Sequence, residues 1–257
     1  MRIGLIFGPT GDWNAIMKAA QIADNSNLDA IGFWDHYHSE KPEWAMVCGW
    51  SAYGALALTT KRIHLVPMVI DRMNYLPGVL AKETSMLSLI SSGRFELGIG
   101  AGDYFKEARA WGIPVPDALT RIAQLKETVA VLHQIWRGEM VTYQGEHLHL
   151  KDAACTPVPP GAPRVVVGAG NSRRLIHSAV EYADEINVYP DEEIIRFARD
   201  ETMAAQRSIK LSVFMGSDLP EPEKLAAWEV LGIERVFVTI WPPFDTIQRL
   251  IELSPKG

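Results

Sequence analysis

The chain has 257 residues, 47% hydrophobic and 22% charged, with a formal net charge of −6. That is the make-up of a globular protein with one large core or two small ones, and its acidity argues against nucleic acid as the main partner while leaving room for a local basic pocket. No apolar run approaches the ~20 residues of a membrane helix, the first strand-like run has no A-x-A-like cleavage signature, and Cys48 and Cys155 form neither a metal pattern nor a disulfide framework. The expectation is a cytoplasmic protein, with Cys48 as buried apolar filler.

In chain order, strand-like runs begin at Arg2 ("RIGLIFG"), Ala30 ("AIGFW"), Arg62 ("RIHLVPMVI") and Arg94 ("RFELGIG"). Four more begin at Arg164 ("RVVVG"), Glu185 ("EINVY"), Ile209 ("IKLSVFMG") and Glu234 ("ERVFVTIW"). They are near-continuous and rich in β-branched residues, as strands buried on both faces are. Helical patterns lie between them. The clearest starts at Leu119, with Ile122, Leu125, Val129, Leu132 and Trp136 on one face and Gly138 as a stop. An apolar stretch from Met46 to Leu58 reads as a helix, and one from Phe244 as a closing helix. A small hairpin from Met140 interrupts the rhythm after the fourth helix. Eight strands alternating with helices is the count of an α/β protein of the (β/α)8 TIM-barrel kind, here a single domain over residues 1–257. A doubly wound open sheet is the alternative, but it more often has fewer strands and a tight fingerprint at its start.

In a barrel the chemistry sits at the C-terminal ends of the strands. The second strand ends in Asp35 and His36, a pair suited to proton transfer. His36 with His38 also has a metal-ligand spacing, but further ligands are thin, and a polar loop is the plain alternative. The third strand holds Pro67, which cannot donate to a ladder and so marks an irregularity. Gly98, Gly100 and Gly102 alternate along the fourth, making room for barrel packing or for something flat across the mouth, with Asp103 at the rim. The fifth runs into "VVVGAGNSRRL". Arg173 stands where a dinucleotide fingerprint needs its third glycine, so that reading is weak. A strand that ends in glycines and opens a helix still aims backbone N–H groups at one spot, which suits an anion or is simply an eased turn.

Taken together, "LDAIGFWDHYH", "TKRIHLVPMV", "LAKETSMLSLISSGRFELGIGAG", "ETVAVLHQIWRGEMVTYQGEHLHLKDA" and "VVVGAGNSRRLIHSAVEYADEINVY" resemble the bacterial luciferase-like superfamily of flavin-type oxidoreductases. The first two stretches and the "GAG" exit are most similar to the branch that uses the deazaflavin coenzyme F420. The resemblance implies hydride transfer between F420 and a small organic substrate. An FMN-dependent monooxygenase and a non-catalytic flavin-binding barrel are the rival readings, and a metal-dependent hydrolase is the weakest. It further implies a phosphate seat at Gly168, Ala169, Gly170, Asn171 and Ser172, with Arg173 as charge partner. Asp35 and His36 fall near the reactive ring, a non-proline cis peptide at Met68–Val69 behind it, and Asp71 and Gly102 at further cofactor contacts. Asp103 departs from the aromatic residue common in relatives, which makes it a candidate proton donor or substrate contact. Among relatives dimers are common, so a homodimer stays open; a metal, a membrane and nucleic acid are not expected.

Overall fold

The computed structural model describes residues 1–255 except His38, Glu40, Pro42 and Cys48. The metal pairing of His38 and the packing of Cys48 therefore lie outside the described residues. The strands are β1 (Arg2–Phe7), β2 (Ala30–Phe33), β3 (His64–Leu65), β4 (Ile70–Asp71), β5 (Leu97–Gly100), β6 (Val141–Gln144), β7 (His149–Ala153), β8 (Val165–Gly170), β9 (Glu185–Val188), β10 (Lys210–Phe214) and β11 (Ile233–Ile240). Nine of them form one sheet in the order β3-β2-β1-β11-β10-β9-β8-β5-β4, and β6 pairs antiparallel with β7 as the expected hairpin. Every named pair of the large sheet is parallel.

The two ends of that order, β3 and β4, are halves of one strand. Leu65 of β3 also bridges to Phe95, just ahead of β5, so the sheet closes on itself with eight strand positions among the described residues. The break has a cause in the sequence. Pro67 has no N–H to donate, and the Met68–Val69 peptide is cis. The segment from Val66 to Val69 presses inward against glycines. A Cβ on Gly32 would fall 1.9 Å from the Val66 carbonyl oxygen, one on Gly98 1.7 Å from that of Pro67, and one on Gly168 2.7 Å from Val69 Cγ1. Gly98 and Gly100 thus make room for the protein's own bulge, the packing alternative of the two read from sequence.

Helices α1 (Trp13–Asp24), α2 (Trp50–Thr59), α3 (Pro77–Ile90), α4 (Phe105–Ala110), α5 (Ala118–Trp136), α6 (Arg173–Ala179), α7 (Glu192–Ala204), α8 (Pro222–Val230) and α9 (Ile247–Leu253) follow the strands. The short α4 lies in the link after β5, so α5 is the barrel's fourth helix and the hairpin follows it. On α5 Leu125, Val129, Leu132 and Trp136 are buried as the periodicity requires, while Ile122 turns to the barrel mouth. The helix read from Met46 begins instead at Trp50, because Gly49 enters it at φ 91°. No helix among the described residues is long and apolar enough to cross a membrane.

Inside the ring, Ile6, Ala30, Val66, Met68, Val166 and Phe237 pack as a small inner core. Arg235, Glu96 and Glu185 lie buried with them, toward the strand N-termini. The interior is filled, as barrels of this size require, and its open end is the C-terminal one.

Candidate active site at the barrel mouth

A cavity of about 520 Å³ opens at the strand C-termini. It gathers Asp35 and His36 after β2, Met68, Val69 and Asp71 from the bulge and β4, and Gly102 and Asp103 after β5. Gly168, Ala169, Gly170, Asn171 and Ser172 line it from the β8–α6 turn. Of the residues given a coenzyme or catalytic role from the resemblance, Arg173 alone stays outside. It pairs with Glu193 of α7, and its guanidinium lies 4.8 Å from the centre of the Phe197 ring.

Each element holds its piece for a local reason. Gly102 sits at φ 91°, and a Cβ there would fall 2.6 Å from Asp71 Oδ1. Gly170 has φ 53°, with the Tyr189 ring 3.1 Å from where its Cβ would be. Ser172 is the N-cap of α6 and accepts from the Leu175 N–H at 3.2 Å. That cap is uncharged, unlike Asp12, Asp117 and Asp191, which cap α1, α5 and α7. A carboxylate cap already meets the positive end of its helix; a serine cap leaves most of that field for an outside anion.

Asp35 is buried. Its Oδ1 accepts from the Tyr75 hydroxyl at 2.9 Å and its Oδ2 from the Asp71 N–H at 3.1 Å. Burial outweighs both bonds and pushes the carboxyl up to about 6. Burial also raises Asp71, and the nearby charge of Asp103 adds to it, against the bond from the Met73 N–H. His36 Nδ1 lies 3.1 Å from Glu107 Oε2 on α4, and its ring meets Tyr104 edge-on with centroids 5.3 Å apart. Glu107 is almost wholly buried and also accepts the Tyr37 N–H. Arg121 of α5 lines the cavity, with its guanidinium 4.5 Å from the Phe105 ring centre and Nη1 donating to the Pro116 carbonyl at 2.6 Å.

Glu107, Tyr75 and Arg121 were not legible as site residues. Glu107 falls in the irregular link after β5, where nothing in the spacing marks a turn of helix facing back toward β2. Arg121 sits on a helix whose periodic signal is its apolar stripe, and nothing in that period marks the arginine as facing the mouth. Among the described residues no group of three or more His, Cys, Asp or Glu could hold a metal ion.

Fold and cavity together define a closed parallel barrel with a polar, glycine-walled site at its strand C-termini. Within that class, the sequence model of the luciferase-like monooxygenase family matches residues 2–215, and the chain belongs to that family. Among curated proteins it is 29% identical over 169 residues to an F420-dependent glucose-6-phosphate dehydrogenase of Microbacterium testaceum, covering 63% of this chain and 48% of that one. A protein of the same name from Kineococcus radiotolerans is 31% identical over 154 residues, covering 58% and 44%. The chain thus spans about half the length of the curated relatives it matches. Solved structures agree in fold along nearly the whole chain. An F420-dependent secondary alcohol dehydrogenase in complex with an F420–acetone adduct superposes with TM-score 0.85 at 14% identity, covering 98% of this chain and 97% of that one. A monooxygenase from Streptomyces bottropensis gives TM-score 0.82 at 18% identity, with the same coverage. The F420-dependent tetrahydromethanopterin reductase of Methanopyrus kandleri gives 0.77 at 16%, covering 98% and 96%.

Proposed function

We propose that the chain is an oxidoreductase that passes a hydride between coenzyme F420 and a small organic molecule. The observation that carries this is the cavity itself, which puts a proton-handling histidine, the glycine-cleared bulge and an uncharged helix cap around one space. The cradle fits a flat ring with an anionic tail. Side chains at Gly102 and Gly170 would collide with Asp71 and with the Tyr189 ring, which line it, and the β8–α6 turn offers an anion seat. The curated relatives, which are F420-dependent enzymes by name, support F420 over FMN.

When bound, the deazaflavin would supply the two-electron chemistry. The protein's residues would do the rest. Met68 and Val69 would back the ring. The backbone of Gly168 to Ser172 would hold the phosphate. Asp35 would fix the wall between β2 and β4 through its bond to the Asp71 N–H. Glu107 would hold the His36 imidazole at Nδ1, and His36 would hold or move a proton at Nε2. Asp103, at the rim, is the second candidate for that proton or for a substrate contact.

Fluorescence titration tests the reading. F420 should saturate the protein, with FMN at least about tenfold weaker, a difference of about 1.4 kcal/mol. Tighter binding of FMN would move the chain to the monooxygenase reading, which the Streptomyces neighbour represents. Binding without any turnover would leave a carrier.

A further inference from the structure

The mouth has a second half whose chemistry is unlike the first. Trp34, Trp44 and Trp241 form a triangle of partly buried rings. Centroid separations are 5.9 Å between Trp34 and Trp241, 6.3 Å between Trp34 and Trp44, and 5.1 Å between Trp44 and Trp241. Trp34 also lines the cavity, and Phe214 and Tyr189, 6.4 Å apart, carry the aromatic wall along the same rim. The Trp241 indole N–H is already used, donating to Ser217 Oγ at 2.7 Å. Lys41 Nζ rests 4.0 Å from the Trp44 ring centre.

Charge sorts the same way. The loops after β1 (8–12), β9 (189–191), β10 (215–221) and β11 (241–246) contain no lysine or arginine. The loop after β2 holds Lys41, whose ammonium lies over the Trp44 ring, and the one arginine among the described residues of the cavity lining, Arg121 of α5, rests on Phe105 and donates to the Pro116 carbonyl. Each of the four helices that leave the first-named loops has a carboxylate at or beside its N-cap: Asp12, Asp191, Glu221 and Asp245. A phosphoryl group is recognised by arginine, lysine or an unclaimed helix N-terminus. These loops supply the opposite sign at each of those places. Aromatic faces, by contrast, take flat apolar rings by offset or edge contact.

We propose that this wall receives an uncharged, ring-bearing organic substrate, and that it rejects phosphorylated ones. The proposal rests on the polar half being the coenzyme seat, and it separates this chain from relatives named for a sugar phosphate. An uncharged ring stacked beside Trp34 would lie next to the part of the cavity that His36 enters.

Calorimetric titration tests it, on the protein alone and on the protein loaded with F420. The probes are 1-indanone, an uncharged bicyclic ketone, glucose 6-phosphate and inorganic phosphate. The expected result is saturable binding of 1-indanone, at least tenfold tighter than glucose 6-phosphate, in either state. Trp34→Ala, at the tryptophan that lines the cavity, should weaken 1-indanone at least tenfold, and Trp34→Phe, which keeps a ring, less than threefold. Coenzyme affinity, read separately from deazaflavin fluorescence, should move less than threefold in both variants. Glucose 6-phosphate binding as tightly as 1-indanone would overturn the proposal. So would a Trp34→Ala variant that binds 1-indanone like wild type. Should F420 itself fail to bind, the coenzyme reading falls, and the titration of the protein alone still decides the wall.

Discussion

The two ends of the barrel use the same residue types to opposite ends. At the N-terminal end Arg235, fully buried, donates to Glu96 at 2.6 Å, to Glu185 at 2.8 Å and to Asp29 at 3.0 Å. Burial alone would push Glu96 up, but Arg235, His64 and Arg164 override it and hold the carboxyl well below its usual range. Burial pulls Arg235 down, and the surrounding carboxylates more than reverse that. At the C-terminal end Asp35 is buried and Asp71 half-buried, with fewer partners, and both are pushed up. Matched charges make a plug that fixes the ring of strands. Unmatched ones make a place where a proton or a ligand completes the balance. The comparison predicts that damage at the bottom is read in stability and damage at the top in function.

The largest effect belongs to the top. His36→Ala should lower the rate of deazaflavin reduction or oxidation, with any alcohol or ketone the wild type turns over, by about 10²–10⁴-fold. Coenzyme affinity and Tm should stay near wild type. Glu107→Gln should give a smaller loss and a displaced pH–rate profile, since it loosens the imidazole without removing it. A His36→Ala variant with undiminished rate removes the proton role.

Next is the bottom. Arg235→Met leaves Glu96 and Glu185 buried with only the weaker reach of Arg164, at 3.6 Å and 3.3 Å, and His64 Nδ1, 3.1 Å from Glu96. The loss should be about 3–5 kcal/mol of stability, measured by urea unfolding. F420 affinity per folded molecule should be unchanged. If the variant unfolds like wild type, the plug is not what fixes the barrel.

Asp35 sharpens the contrast through pH. Its folded pKa of about 6 lies above the ordinary carboxyl value of 3.8, so between these values the folded state binds more protons than the unfolded one. Stability attributable to this group therefore falls as pH rises through that window. The full cost above it is about 3 kcal/mol, at 1.36 kcal/mol per tenfold. Asp35→Asn keeps partners for Tyr75 and the Asp71 N–H and has no charge to bury. Its stability relative to wild type should rise between pH 4 and pH 7 by about that amount. A difference that stays constant across this range would mean that Asp35 is not desolvated as its burial implies.

Much of this was legible in the chain. Near-continuous β-branched runs separated by periodic helices gave the strands and the barrel, because burial on two faces leaves a strong apolar signal. Pro67 gave the break in the third strand. The strand-end rule then pointed to Asp35, His36, Asp103 and the glycine turn. What was not legible depends on approach between distant segments. Glu107 reaches His36 across 71 positions, and Tyr75 reaches Asp35 across 40; no local period encodes either. Gly98 and Gly100 were visible as missing side chains, but only the inward bulge says what fills the space.

The smallest effect concerns Arg173, where sequence and geometry diverge. Next to a glycine turn, an arginine reads as the phosphate's charge partner, worth about 1.5–3 kcal/mol in a charge-assisted bond. The structure turns it outward instead, onto exposed Glu193 and the Phe197 ring. An exposed pair of this kind contributes at most about 1 kcal/mol to stability, and none of it needs to bear on the ligand. Arg173→Ala should therefore change F420 affinity by less than about threefold, or roughly 0.6 kcal/mol, with the salt dependence of binding unaltered. Gly170→Val is the partner experiment. A side chain there must adopt φ 53° and meet the Tyr189 ring, so affinity should drop by more than about tenfold. Loss in Gly170→Val with none in Arg173→Ala assigns the anion to backbone amides. A ten- to hundredfold loss in Arg173→Ala would instead mean that the arginine swings in when the coenzyme binds, and that the charge partner read from the sequence was the right one.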